Sequence, residues 1–230
     1  MEKIEVERFV AKKFQTAEAI KTLRTNILFS GKDIKSIAIT SYGTSGGKTS
    51  VAFQLAASMA QAGKRVLLLD TDLRKSVLAS RLRVRGSVKG LSHFLSGMSE
   101  MNDLMYGTNV DGMYIMFSGP RVPNAAELLG SNRFACLISG LEKVFDYVIV
   151  DAAPLGQVID CAVMAPVLDG VLIIVDARQN SYKLERRIIA QLEKSGGKIM
   201  GIVLNHVDLR DKQGYYGKAY GYSYGYGYEE

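Results

Sequence analysis

Ser36-Ile37-Ala38-Ile39-Thr40-Ser41-Tyr42-Gly43-Thr44-Ser45-Gly46-Gly47-Lys48-Thr49-Ser50 joins an apolar run of strand length to a glycine-rich loop, which opens directly into a segment with helical spacing. Strand, glycine loop, Lys-Thr and helix is the order of a phosphate-binding P-loop. Small residues let successive backbone N–H groups turn inward around phosphate oxygens, and the helix N-terminus adds its partial positive charge. Gly43, Thr44, Ser45, Gly46, Gly47 and Ser50 are therefore candidate ATP contacts. Lys48 is placed to reach the β- and γ-phosphates, and the Thr49 hydroxyl to ligate Mg²⁺. The strict pattern has Gly at position 42, where this chain has Tyr, so the motif is a deviant P-loop.

Two later apolar runs carry carboxylates at their ends: Leu67-Leu68-Leu69-Asp70-Thr71-Asp72-Leu73-Arg74 and Val148-Ile149-Val150-Asp151. In a parallel sheet those ends lie on the same edge as the P-loop. Asp151 occupies the position that holds Mg²⁺ in such sites, directly or through water. Asp70 and Asp72 would face the same way if strand geometry continues to Asp72, adding metal ligands and a proton acceptor. An Asp at a strand end also favours a turn, but three of them beside a P-loop converge on one site. Lys48, Asp72 and Asp70 are the candidate catalytic residues, with Asp72 favoured over Asp70 as the group nearest an attacking hydroxyl. Asn205, after the last apolar run, is read either as a contact to the nucleotide base or as a turn residue. Arg74 either neutralises phosphate or caps a turn.

The pattern continues along the chain. Apolar runs at Arg65 to Asp70, Met113 to Phe117, Tyr147 to Asp151, Gly170 to Asp176 and Lys198 to Asn205 are unbroken rather than alternating, as strands covered on both faces are. Helical spacing is predicted over Lys48 to Ala62, Asn124 to Leu141, Asp160 to Leu168 and Ser181 to Lys194. This alternation predicts an α/β fold with a doubly wound, mainly parallel sheet and helices on both faces. Ahead of it, residues 12–30 form an amphipathic helix with Ala17, Ile20, Leu23, Ile27 and Leu28 on one side and Glu18, Lys21 and Arg24 on another. The expected organisation is residues 1–35 as lead-in helix, 36–210 as P-loop domain and 211–230 as tail.

The 230 residues carry a formal net charge of +6, but Lys and Arg are spread rather than gathered in one block, which argues against nucleic acid as a partner. Cys136 and Cys161 lie in apolar stretches and make no metal spacing with His93 or His206, so both are expected as small buried hydrophobes. No apolar run approaches the roughly 20 residues of a membrane span, and the start lacks the apolar core of a signal peptide. The tail differs in kind. Seven of the twelve tyrosines, Tyr215, Tyr216, Tyr220, Tyr222, Tyr224, Tyr226 and Tyr228, fall in the last sixteen residues among Gly and Ser, a composition that cannot bury a core and is expected to be disordered. Such a segment can present its phenols one at a time to an active site.

Taken together, Glu18 to Asn26, the deviant P-loop, Leu68 to Arg74, Gly90-Leu91-Ser92, Pro123 to Leu129, Asp146 to Asp151 and the Tyr-rich tail resemble the bacterial tyrosine kinases of capsule and exopolysaccharide synthesis, over nearly the whole chain. The resemblance implies a kinase that uses Mg-ATP and phosphorylates the tail tyrosines of its own kind. It also implies a ring-like homo-oligomer contacted through Glu18, Lys21 and Arg24. It further implies a cytoplasmic location, at the inner membrane face beside the cytoplasmic segment of a transmembrane polysaccharide activator, with other tyrosine substrates and a phosphotyrosine phosphatase as further partners. The chain departs from the family at Ser45, a usual glycine whose Cβ would resist a positive φ that Gly46 would have to absorb, and at Lys21, a usual arginine. The rival readings are a switch ATPase of the cell-division and partitioning type and a nucleotide-binding scaffold. The first carries a signature lysine five residues before the P-loop lysine, where this chain has Gly43.

Overall fold

The computed structural model describes residues 3–6, 14–84, 86, 88–179 and 182–207. The tail tyrosines and the expected boundary at 210 lie outside the described residues. Eight strands form one sheet: β1 (Lys3–Ile4), β2 (Ser36–Ser41), β3 (Val66–Asp70), β4 (Tyr106–Thr108), β5 (Met113–Met116), β6 (Tyr147–Asp151), β7 (Gly170–Asp176) and β8 (Ile199–Asn205). Their spatial order is β1-β4-β5-β3-β6-β2-β7-β8. Every pairing is parallel except β4 with β5, where Tyr106 faces Ile115. The P-loop strand β2 therefore sits between β6 and β7, and Ile39 and Asp70 both align with Asp151 across the ladder.

The unbroken apolar runs follow from coverage on both faces. Along β2, Ile37 and Ile39 enter one core with α1 (Phe14–Phe29) and α2 (Lys48–Gln61). Ala38 enters the other, with α6 (Asn132–Val144), α7 (Asp160–Met164) and α8 (Tyr182–Lys194). All five residues of β3 and all five of β6 are buried. The doubly wound sheet predicted from the sequence is thus the observed one.

Several expectations change in detail. The single helix expected over Asn124 to Leu141 is two, α5 (Ala125–Leu129) and α6, broken at Gly130. A Cβ at Gly130 would meet Val163, and Ser131 then starts a new helix by accepting from Phe134 N at 3.3 Å. Strand β8 is only half covered: Ile202 is 55% exposed and Leu204 36%, because it is the edge of the sheet. Leu28 stands outside the packed face of α1, and only Ile27 of that helix is buried. Cys136 is exposed on α6 rather than buried, whereas Cys161 is buried and its thiol is pushed up to about 12 by loss of solvent. The short elements α3 (Leu78–Arg81), α4 (Leu91–Leu95), β1 and β4 were not predicted, being four or five residues at most and too short for any period to show.

Candidate active site

The P-loop is held from three directions. Within it, Ser41 Oγ donates to Gly43 O at 2.6 Å. From the chain after β6, Leu155 N donates to Ser41 O at 2.9 Å, and Gly156 lies so close to Tyr42 that a Cβ there would strike the ring. The Tyr in place of the usual glycine is therefore seated on a residue with no side chain. From β8, Asn205 Nδ2 donates to Gly46 O at 3.0 Å, so in this arrangement Asn205 buttresses the loop. The left-handed residue is Gly47, with φ 84°, and a Cβ there would collide with Asn205. Neither Ser45 nor Gly46 adopts positive φ, so the Ser at the usual glycine carries none of the strain expected of it.

Beyond the loop, a cavity of about 340 Å³ is lined by Thr44, Gly47, Lys48 and Thr49 together with Asp70, Asp72 and Asp151. Gly43, Ser45, Gly46, Ser50 and Asn205 do not line it. Lys48 Nζ lies 3.5 Å from Asp151 Oδ1 and donates to Thr49 Oγ1 at 3.2 Å. Thr71 fixes the ends of β3 and β6 to each other, its N–H and hydroxyl both donating to Asp151 O at 3.0 and 3.1 Å.

The two carboxylates of the Asp-x-Asp pair are held differently. Asp70 ends β3 and is buried; loss of solvent, then the charge of Asp151, push its carboxyl up to about 7, although the hydroxyl of Ser76 and the N–H of Asp72 both donate to it. The strand stops at Asp70, so Asp72 does not continue it. Its Oδ1 instead accepts from Arg74 N at 3.3 Å and Lys75 N at 2.8 Å, which makes it the first residue of a turn whose backbone donors fix its direction. Asp151 is also pushed up by burial, against the pull of Lys48.

Arg74 lines the cavity and has a partner the sequence did not suggest. Its guanidinium grips Asp160 with two bonds, Nε to Oδ2 at 2.7 Å and Nη2 to Oδ1 at 3.0 Å, and so ties the Asp-x-Asp turn to the start of α7. The sequence reading missed Asp160, Ser76 and the cavity-lining Lys75, Arg81 and Gln157. Only the Arg-rich run after Asp72 signalled any of these. On the remote face, Lys21 pairs with Glu18 on α1 at 2.7 Å, while Arg24 turns inward and donates to Ser58 O at 2.9 Å. Arg24 thus holds α1 to α2, and Glu18 and Lys21 remain at the surface.

The donor set fits Mg²⁺: Thr49, Asp70, Asp72 and Asp151 offer hard oxygen atoms, and a cation would offset the loss of solvent, and the charge of Asp151, that push Asp70 upward. Among the described residues no three acidic, His or Cys groups form a ready cage, and Mg²⁺ does not require one, since it shares its shell with water and substrate phosphates.

A family model described as AAA domain matches residues 34–198. The chain is 38% identical over 194 residues to the tyrosine-protein kinase CpsD of Streptococcus agalactiae, covering 84% of this chain and 85% of that one. The kinase domain of Escherichia coli tyrosine kinase ETK superposes with a TM-score of 0.81 at 32% identity, covering 90% of this chain and 80% of the other. The septum site-determining protein MinD from Pyrococcus horikoshii, solved with Mg-ADP, reaches a TM-score of 0.63 at 22% identity over 74% of this chain and 70% of the other, a likeness of fold alone.

Proposed function

The chain belongs to the bacterial tyrosine-protein kinase family, and on that premise we propose that it transfers the γ-phosphoryl group of Mg-ATP to the tyrosines of its own C-terminal segment, Tyr215 to Tyr228, between subunits. The observation that carries this is the convergence of Lys48, Thr49, Asp70, Asp72 and Asp151 on one cavity, in a chain with seven tyrosines among residues 215–228. The P-loop amides and Lys48 hold the phosphates, and Mg²⁺, when bound, supplies charge neutralisation at the transferred group. Asp72, fixed by two backbone donors, accepts the phenol proton as the phenol oxygen bonds to the γ-phosphorus and ADP leaves.

Placement supports transfer between subunits. The tail departs beyond β8, an edge strand, and its phenol must arrive in line with the leaving group, which a neighbour in a ring offers more easily than a sharp reversal. Glu18 and Lys21 supply the ring contact on this reading. Among the described residues no helix is long and apolar enough to cross a membrane. On this reading the kinase works in the cytoplasm, at the membrane through the cytoplasmic segment of a transmembrane activator, where it regulates capsular or exopolysaccharide synthesis. Other tyrosine proteins are further substrates, and a phosphotyrosine phosphatase reverses the modification.

The test mixes a Lys48→Met chain that keeps its tail with an active chain truncated after Lys212. Phosphotyrosine is expected on the inactive chain, at a rate that rises with concentration and falls when Glu18 and Lys21 become Ala. An unmodified inactive chain, beside wild type that labels itself at a concentration-independent rate, would place transfer within one subunit.

A further inference from the structure

Between the Asp-x-Asp turn and β4 the chain becomes strongly one-signed. Residues 74–89 include Arg74, Lys75, Arg81, Arg83, Arg85 and Lys89 and not one carboxylate. Arg74 is committed to Asp160, and Lys89 lies 3.8 Å from Asp103, both side chains more than half exposed. Arg85 lies outside the described residues. Lys75, Arg81 and Arg83 remain, all exposed. Lys75 and Arg81 line the same cavity as Thr49, Asp72 and Asp151, and Arg81 Nη1 donates to Ser50 Oγ at 3.3 Å, which anchors the guanidinium to the first turn of the P-loop helix. Lys75 and Arg81 thus put a cationic rim on this cavity, and Arg83 follows at the surface two residues after Arg81.

The chain's own tail offers what this rim would take. Tyr220, Tyr222, Tyr224, Tyr226 and Tyr228 alternate with other residues, so in an extended strand they share one face at about 7 Å spacing. Each phosphorylation converts a neutral ring into a group of about −1.5 to −2 charges with three acceptor oxygens, the shape an Arg fork holds in two bonds. Lys75 and Arg81 line the same cavity as Asp72, so with one phenol at Asp72 they are the cations within that cavity for a neighbour on the same face.

We propose that Lys75, Arg81 and Arg83 form a phosphotyrosine-binding subsite that holds an already modified tail of a second copy of this chain, so that the first phosphorylation primes the next. This rests on the kinase reading above and adds to it a substrate-recognition site on the rim of the same cavity. The tail would then be modified in runs. Sparse tyrosines without i,i+2 neighbours would gain nothing from the rim.

The test measures fluorescence anisotropy of two labelled peptides of residues 213–230, one with Tyr224 free and one with it phosphorylated. The titrant is the full-length, previously dephosphorylated chain saturated with Mg²⁺ and a β,γ-imido analogue of ATP, so that the phosphate loop is filled and no transfer occurs. The phosphorylated peptide is expected to bind about tenfold more tightly at low salt. That preference should fall below about twofold when Lys75, Arg81 and Arg83 are all replaced by Gln, and partly when only Lys75 is. Equal binding of the two peptides to wild type would overturn the proposal, as would a preference that survives the triple replacement. Failure of the kinase reading shows separately, as absence of phosphotyrosine when wild type is given ATP.

Discussion

The two flanks of the phosphate loop hold their carboxylates in opposite ways. On the β3–β6 side, Asp70 and Asp151 are buried next to each other with too few cations, and burial raises both. On the β7–β8 side, Asp176 is saturated: Arg178 Nε and Nη2 donate to it at 2.9 and 2.7 Å, His206 Nδ1 lies 3.1 Å away, and its carboxyl is held far below the ordinary range, chiefly by Arg178. The first flank is incomplete without a cation and a phosphate. The second is complete in the protein alone, and through Asn205, bonded to Gly46 O beside a left-handed His206 (φ 59°), it braces the loop. A crowded carboxylate pair marks where chemistry is expected, and a satisfied one marks a support.

The largest effect that would break this contrast is at Lys48. Lys48→Met should lower phosphotyrosine formation by about 10²–10³-fold with an unchanged circular dichroism spectrum, because it removes a charge aimed at phosphate and nothing from either core. Retained activity would remove the P-loop from the account. Asp72→Asn comes next: its amide oxygen can still accept from Arg74 N and Lys75 N, so nucleotide affinity should stay within about threefold while kcat falls about 10–100-fold. Equal losses in both constants would make Asp72 a metal ligand only.

Two smaller effects sharpen the difference between the flanks. Asp70→Asn should raise the melting temperature of the metal- and nucleotide-free chain at pH 8 by a few degrees, since it removes a buried charge that only the bound cation offsets, and should abolish stabilisation by Mg-ATP. A lower melting temperature would mean that Asp70 is already compensated. Asp176 should act in the other direction. Its pKa is depressed in the fold, so the stability it contributes is complete above about 3.9, the unfolded value, and is lost as pH falls through the folded value. Acid unfolding followed by fluorescence should therefore shift to higher pH in Asp176→Asn, and an unchanged acid limb would refute the support role. Smallest of all, iodoacetamide at pH 8 should label Cys136 and spare Cys161 in the native chain, as mass spectrometry would show, because the buried thiol is held up near 12.

How much of this was legible in the sequence follows the same division. The central strands, the P-loop and the three carboxylates could be read because each depends on a few adjacent residues: five consecutive apolar positions, a Gly-Gly-Lys-Thr, an Asp at a strand end. The supports could not. Arg74 meets Asp160 across 86 positions and Asn205 meets Gly46 across 159, and nothing local in either pair announces the other. Whether the strand continues to Asp72 stayed open because a period of two cannot show where a strand ends, and the break at Gly130 was passed over although Ser131 is a residue type that starts helices. The positive φ considered at Ser45 is found at Gly47, where an added Cβ would meet Asn205, a residue far along the chain that the loop sequence does not announce.

The central claim is that the γ-phosphoryl group goes to tyrosine and not to water. It is tested most directly by incubating the full-length chain with Mg²⁺ and γ-labelled ATP, then dividing the label between inorganic phosphate and peptides mapped by mass spectrometry. The account predicts label on tyrosines within residues 215–228, more than one per chain, and none in Lys48→Met. Steady release of inorganic phosphate without phosphotyrosine would contradict it, and would make the chain a switch ATPase on the same fold.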